Sequence, residues 1–360
     1  MRSTSTPAHT KQAPSFRLAL SGCAATVMIG LAFTATAAQA VDITGAGSTF
    51  AAPIYGAWGA VAKSSIGVAL NYQALGSGAG QNQVIARTVD FGASDAPLTA
   101  AKLQTNLLIQ FPTVMGGVVP IVNLPGIAPN QLHLTGEVVA ELFSGAISTW
   151  NDPKIAALNP GVKLPDTAVA PVHRADGSGT TFVFTSYLAK VSPDWKSKIG
   201  AASSIAWPSG AGAKGNDGVA ATVRNTEGGL GYVEYAYADK NHLTTVELKD
   251  KAGAFVAPNL DSFTKAAAAA DWASAQNFAV DLLDTPGEGA WPIVSATFVL
   301  LPTNPKDPAR SAEVIKFFDW AFTNGAATAR KLQYVPLPAE VQTNVRHAWT
   351  NVAGAPDMSR

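Results

Sequence analysis

The segment Arg174-Ala175-Asp176-Gly177-Ser178-Gly179-Thr180-Thr181 gathers a fixed cation, a carboxylate, two glycines and three hydroxyls. Glycine lets backbone N–H groups approach a ligand closely, hydroxyls can donate, and arginine offers a planar fork of donors. Phe184 and Leu188 follow at helix spacing, so the loop is predicted to open a helix N-terminus. That end carries unpaired N–H groups and partial positive charge. Such a loop suits an oxyanion of phosphate-like kind. Two turns of similar chemistry lie upstream, Gly45-Ala46-Gly47-Ser48-Thr49-Phe50 and Gly76-Ser77-Gly78-Ala79-Gly80. Each follows a β-type run and precedes a helix-type one. In open α/β sheets, ligands bind at the carboxyl ends of strands, where these turns would lie.

Other chemistries fit less well. The first turn begins G-x-G but carries Phe50 where a dinucleotide fingerprint needs its third glycine. No G-x-x-x-x-G-K-[ST] occurs, which removes P-loop chemistry. Gly177-Ser178-Gly179 is not a G-x-S-x-G elbow, and His173 precedes Ser178 rather than following it. His133, His173, His242 and His347 are scattered, so a metal site is not expected.

The elements that must position these turns alternate between short apolar β-type runs and helix-period runs, the pattern of α/β layers with largely parallel sheets. Phe50, Ile54, Trp58 and Val61 are spaced as one helix face, with Pro53 in the first turn, where proline is tolerated. Val68 to Leu75 and Val89 to Ala93 read as strands, the second ending at Asp95. Val118 to Val122 reads as a strand whose Pro120 suggests an edge or crossing position. Thr135 is a candidate N-cap for a helix carrying Val138, Val139, Leu142 and Phe143. Val169 to Val172 forms the strand that feeds the Arg174 loop. Val314, Phe317, Phe318 and Ala321 mark an amphipathic helix with Gly325 placed to end it, and Ala266–Ala270 reads as helix.

At the N-terminus, Arg2, Lys11 and Arg17 form a basic region, Leu18 to Phe33 an apolar one, and Ala38-Gln39-Ala40 a small-residue cleavage motif. We expect a signal peptide cleaved after Ala40, hence export, rather than a membrane anchor. Leu20-Ser21-Gly22-Cys23 resembles a lipoprotein box. Only five residues separate Arg17 from Cys23, short of the roughly 7–15 apolar residues of an h-region, so a cysteine inside the signal is the favoured reading. Cleavage would leave 320 residues and remove three of the 25 basic residues but none of the 25 acids, a net charge of −3. A slightly acidic surface argues against a nucleic-acid partner. The remaining length exceeds what one small core organises, so two lobes are expected.

Taken together, TGAGSTFAAPIY (44–55), NYQALGSGAG (71–80), TVDFGASDAPL (88–98), FPTVMGGVV (111–119), RADGSGTTFVFTSYLAKV (174–191), KGNDGVAA (214–221), GYVEYAYA (231–238) and FFDWAF (317–322) resemble the periplasmic phosphate-binding proteins of high-affinity phosphate ABC transporters. The resemblance covers essentially all of the chain beyond residue 40. It implies two α/β lobes, each a mixed, largely parallel sheet flanked by helices, joined by a hinge. Lobe I would comprise residues 41–119 and 297–360 and lobe II residues 120–296, with crossovers near Gly117–Pro120 and Pro292–Ala296. The implied function is non-enzymatic: a periplasmic, monomeric protein that captures inorganic phosphate without a cofactor and delivers it to membrane permease subunits.

Carried over, the family's phosphate site falls on Thr49, Phe50, Ser77, Asp95, Arg174, Ser178, Gly179 and Thr180. Backbone N–H groups of Thr49, Phe50, Ser178, Gly179 and Thr180 would donate, with the hydroxyls of Ser77, Ser178 and Thr180. Arg174 would supply charge, held by Asp176. Asp95 would accept a proton from the ligand. A carboxylate only accepts hydrogen bonds, so it repels a fully ionised oxyanion and favours one that keeps a proton, as phosphate does and sulfate does not. A sulfate or molybdate receptor is therefore the weaker alternative, as is a phosphatase, which would need a nucleophile–base pair or metal ligands. Two positions depart from the family pattern: Gly78 stands where a second serine is often seen, and His173 where an arginine can precede Arg174. Protonation of His173 would raise affinity slightly, but a solvated strand-end residue is the favoured reading.

Overall fold

The computed structural model describes residues 40–356. The signal-peptide reading, Cys23 included, falls on residues 1–39 and so lies outside the described residues. In chain order the strands are β1 (Val41–Gly47), β2 (Val68–Gln73), β3 (Phe91–Ser94), β4 (Leu108–Asn123), β5 (His133–Leu134) and β6 (Ala170–Arg174). They continue as β7 (Ala211–Ala213), β8 (Gly229–Glu234), β9 (Thr244–Thr245), β10 (Glu247–Lys249), β11 (Phe255–Val256) and β12 (Val294–Pro302). A nine-stranded mixed sheet runs β2-β1-β3-β12-β4-β8-β6-β7, with β9 also on β4, and β11-β10-β5 form a second, small sheet. β1 is parallel to β2 and β3, and β6 is parallel to β7 and β8, while β12 is antiparallel to both β3 and β4. This is the α/β architecture the alternating pattern predicts.

β4 organises the whole sheet. Residues Leu108–Gly117 pair with β12, and from Val118 to Asn123 the strand pairs with β8 instead. The run is mostly apolar, with Gln110, Thr113 and Asn123 as its polar side chains, and buried over nearly its full length, as a strand covered on both faces must be. The sequence suggested a short strand at Val118 to Val122. The strand is longer because Pro112 falls at a register shift opposite Thr297/Phe298, where no regular ladder bond is demanded. Pro120 pairs with Tyr232 of β8, just past the point where β4 changes partners. Here Val118 N–H donates to Ile293 O (2.8 Å), the indole of Trp291 donates to Val118 O (2.9 Å), and Val294 pairs with Gly117. The two segments expected to cross between lobes thus lie side by side.

The helix Ala52–Ile66 begins with a proline in its first turn, as expected, but its buried face is Ile54, Tyr55, Trp58 and Ala62. Val61, expected on that face, is 47% exposed, and Phe50 is buried ahead of the helix. The physical reason is that Phe50 belongs to the turn, where Tyr334 holds its carbonyl, so the helical period starts later. Tyr55 and Phe91 both meet Phe318 edge-on, at centroid distances of 5.6 and 5.3 Å. Each such pair contributes roughly 0.5–1.5 kcal/mol beyond simple burial and fixes the helix Pro308–Asn324 against the site-bearing strands. That helix buries Val314, Phe317, Phe318 and Ala321 and ends at Gly325. Thr135 caps the helix Gly136–Ser144 by accepting from Val138 N–H, and Ala266 to Ala268 close the helix Leu260–Ala268.

Candidate functional site

Each of the three turns follows a strand carboxyl end, and the fold brings them together. After β1, Ser48 to Ala51 form a tight turn in which Ser48 Oγ accepts from Ala51 N–H (3.3 Å). The N–H groups of Thr49 and Phe50 donate to no acceptor among the described residues. After β6, Ser178 caps the helix Gly179–Val191, its Oγ accepting from Thr181 N–H at 2.9 Å. The N–H groups of Gly179 and Thr180, at the first two helical positions, likewise have no acceptor among the described residues. This is the unpaired N-terminus the sequence predicts. One expected donor is diverted: Ser178 N–H bonds to Ser203 O (2.9 Å), because the N-cap residue lies in extended backbone facing that neighbouring chain segment.

Asp95, just past β3, sits at the centre. Its Oδ1 accepts from Ser48 Oγ (2.6 Å) and Thr297 Oγ1 (2.7 Å), while Oδ2 has only a longer contact to Ser77 Oγ (3.3 Å). Oδ2 is therefore the oxygen with spare acceptor capacity. It also presses on the helix Gly179–Val191: a Cβ at Gly179 would lie 2.5 Å from it. Only glycine fits there. Burial pushes the Asp95 carboxyl above its ordinary pKa, opposed by the Ser48 and Thr297 hydroxyls and the Arg174 charge.

Arg174 is the site's cation. Its Nε donates to Asp176 Oδ1 (2.8 Å), Nη2 to Oδ2 of the same carboxylate, and Nη1 to Thr180 Oγ1 (3.2 Å). Partial burial alone would raise the Asp176 pKa. The Arg174 bonds and charge, with the Gly215 amide, hold it below the usual carboxylate range instead. The bidentate pair leaves Arg174 rigid and largely neutralised. Thr180 Oγ1 also accepts from Asn216 Nδ2 (3.3 Å), as does Thr49 Oγ1 (2.7 Å). Thr49, Phe50, Ser77, Asp95, Arg174, Ser178, Thr180, Asn216 and Thr297 are each at most 4% exposed.

All eight positions named from sequence thus lie in one buried cluster. Sequence reasoning missed Ser48, Asn216 and Thr297. Ser48 and Asn216 lie within quoted motifs, but Thr297 comes from 202 residues away and is turned toward Asp95 at the register shift in β12. Three tyrosines were missed too: Tyr72, Tyr237 and Tyr334 donate to Ser48 O (2.7 Å), Thr49 O (2.7 Å) and Phe50 O (2.6 Å). Tyr334 Oη is also 2.8 Å from Glu234 Oε2. One phenol proton cannot serve two acceptors, so both contacts hold when Glu234 is protonated and donates. Burial pushes Glu234 well above its ordinary pKa, and its Oε1 has no partner among the described residues.

The two departures have local causes. Gly78 N–H donates to Gly177 O (2.9 Å), and a Cβ on Gly78 would stand 3.2 Å from Gly177 Cα, so the two loops touch through glycines. His173 stacks on Trp207 (4.8 Å, 9°) with Nδ1 against Arg174 O (3.2 Å). Its ring therefore faces an indole and not the Asp95 cluster.

Residues 34–324 match the family described as the PBP superfamily domain. The phosphate-binding protein PstS of Pasteurella multocida is 50% identical over 311 residues, 86% of this chain and 90% of that protein. The PstS of Haemophilus influenzae is 48% identical over 312 residues, 87% and 93% of the two chains. Among solved structures, a phosphate-binding protein from Stenotrophomonas maltophilia superposes with a TM-score of 0.66 at 20% identity, covering 88% of this chain and 97% of that one. The fold is thus the two-lobed one of the solute-binding proteins. On these matches, the chain belongs to the PBP superfamily and, within it, to the family of PstS phosphate-binding proteins.

Proposed function

We propose that the chain captures inorganic phosphate in a cleft between its lobes and delivers it, after export to the periplasm, to the permease of an ABC transporter. The lobes divide as residues 41–119 with 297–360 against 120–296, hinged where β4 changes partners. Thr49, Phe50, Gly179 and Thr180 offer amides, Ser77, Ser178 and Thr180 offer hydroxyls, Arg174 offers charge, and Asp95 Oδ2 takes the ligand's proton. One observation carries the reading: four amides without an acceptor among the described residues, an arginine paired with Asp176 and a carboxylate whose Oδ2 keeps spare acceptor capacity converge in one buried cluster.

Affinity in such a site comes from oriented dipoles more than net charge. Hydrogen bonds to a charged group contribute about 1.5–3 kcal/mol each, so several exceed the roughly 8 kcal/mol of a micromolar site even after ordering costs. The chemistry is capture and release, not turnover: Ser178 Oγ is engaged by Thr181 N–H, and His173 is stacked on Trp207. Calorimetric titration of the anion-stripped chain tests the proposal. It expects one-to-one phosphate binding with sulfate silent; equal binding of both, or of neither, would overturn it.

A further inference from the structure

We infer that Tyr72, Tyr237 and Tyr334 form a clamp on the outer side of the Ser48–Phe50 turn that aims its amides, with Tyr237 engaging only on closure. The inference rests on the phosphate reading and deepens it by naming positioning residues behind the site. Three successive carbonyls, of Ser48, Thr49 and Phe50, each receive one phenol hydrogen bond, at 2.7, 2.7 and 2.6 Å. Every peptide bond described is trans. In a trans peptide the C=O of one residue and the N–H of the next point in opposite directions across a rigid plane. Gripping Ser48 O therefore fixes where Thr49 N–H points, and gripping Thr49 O fixes Phe50 N–H. Those are the two amides of the turn with no acceptor among the described residues. The third plane, held at Phe50 O, directs Ala51 N–H onto Ser48 Oγ (3.3 Å), which locks the turn on itself.

The three tyrosines come from different parts of the chain. Tyr72 lies on β2, beside β1 in the sheet, and Tyr334 follows the helix Ala326–Lys331. Both fall within the proposed lobe I, as the turn does. Tyr237 lies on the helix Tyr235–Lys240, directly after β8, within the proposed lobe II. Its bond to Thr49 O therefore spans the cleft. Asn216 reinforces that crossing by donating to Thr49 Oγ1 (2.7 Å). The turn is held on one side at all times, whereas Thr49 O has within the proposed lobe I only the long contact from Ala52 N–H (3.4 Å), so its Phe50 amide is held firmly only when the lobes meet. Closure itself completes the donor set.

The test is stopped-flow binding of inorganic phosphate to the full chain carrying Tyr237→Phe or Tyr72→Phe, with melting of each ligand-free protein alongside. The Tyr237→Phe variant should release phosphate about tenfold faster, with the association rate within about twofold of wild type and the ligand-free melting temperature unchanged. Loss of one net hydrogen bond, with the Thr49 carbonyl left only its long contact from Ala52 N–H, makes tenfold the expected scale. The Tyr72→Phe variant, altered in open and closed forms alike, should lower affinity through both rate constants. A Tyr237→Phe release rate equal to wild type would overturn the clamp while leaving phosphate binding standing. A change carried wholly by the association rate would overturn the closure-dependent role. Failure of the wild-type chain to bind phosphate would instead sink the parent reading, and the clamp with it.

Discussion

Replacing Asp95 by asparagine isolates the atom that decides which oxyanion is accepted. Oδ1 is saturated by Ser48 and Thr297, so the amide oxygen of the introduced side chain can keep both bonds and turn its NH2 to the Oδ2 position. There it meets Ser77 Oγ, which can reverse and accept, and the ligand, to which it now donates. Phosphate loses a hydrogen bond to a charged acceptor, about 1.5–3 kcal/mol, a weakening of roughly 10–100-fold. Sulfate is relieved of a like-charge contact costing several kcal/mol, so its affinity should rise on the order of 100-fold or more. Discrimination therefore falls by more than phosphate affinity does. Competition calorimetry of wild type and D95N with both anions at neutral pH reads the two numbers. If sulfate binding fails to rise while phosphate binding collapses, Asp95 is a structural anchor and its proton-acceptor role is refuted.

Gly179→Ala should weaken phosphate binding by at least about 100-fold, since the new methyl would be forced against Asp95 and Ser77; titration within tenfold of wild type would contradict that tight apposition. Glu234 gives a pH signature. Its folded pKa is raised by burial, so between the unfolded value near 4.5 and the folded one the native state holds the extra proton, and stability falls as pH rises, by up to about 1.4 kcal/mol per unit. Glu234→Gln removes that slope, so its melting temperature should move in its favour against wild type from pH 5 to 8. Parallel melting profiles would show that Glu234 is not protonated. Arg174→Lys should weaken phosphate binding by ten- to a hundredfold, because a point charge cannot reproduce the fork that holds Asp176 and Thr180 together; affinity unchanged in titration would reduce the guanidinium to a mere charge.

Much of the site was legible because its chemistry is local. Ser178, Gly179 and Thr180 occupy consecutive positions at a helix start, where the types alone imply an N-cap and unpaired amides. Thr135 and Gly325 were legible for the same reason. What escaped is whatever depends on long-range register. Thr297 reaches Asp95 only because the β12 ladder shifts opposite Pro112, and no spacing in the sequence encodes that. Tyr237 meets Thr49 from 188 residues away, and aromatic residues in apolar runs carry no mark that separates a clamp from a core. β4 read short because its prolines and Gly116-Gly117 look like breaks, although β12 as far as Gly117 and β8 from Val118 onward carry the strand through them. The face of the helix Ala52–Ile66 was misplaced because the period was counted from Phe50, a residue the turn claims.

The central claim is that four amides without an acceptor among the described residues, Arg174 and Asp95 Oδ2 surround one phosphate. A crystal structure of the full chain grown with phosphate tests it most directly. The account predicts the anion within hydrogen-bond distance of the Thr49, Phe50, Gly179 and Thr180 amides, with one phosphate oxygen within about 2.7 Å of Asp95 Oδ2, the length of a short charge-assisted bond. Phosphate bound elsewhere, or bound with Asp95 turned away from it, would contradict the account.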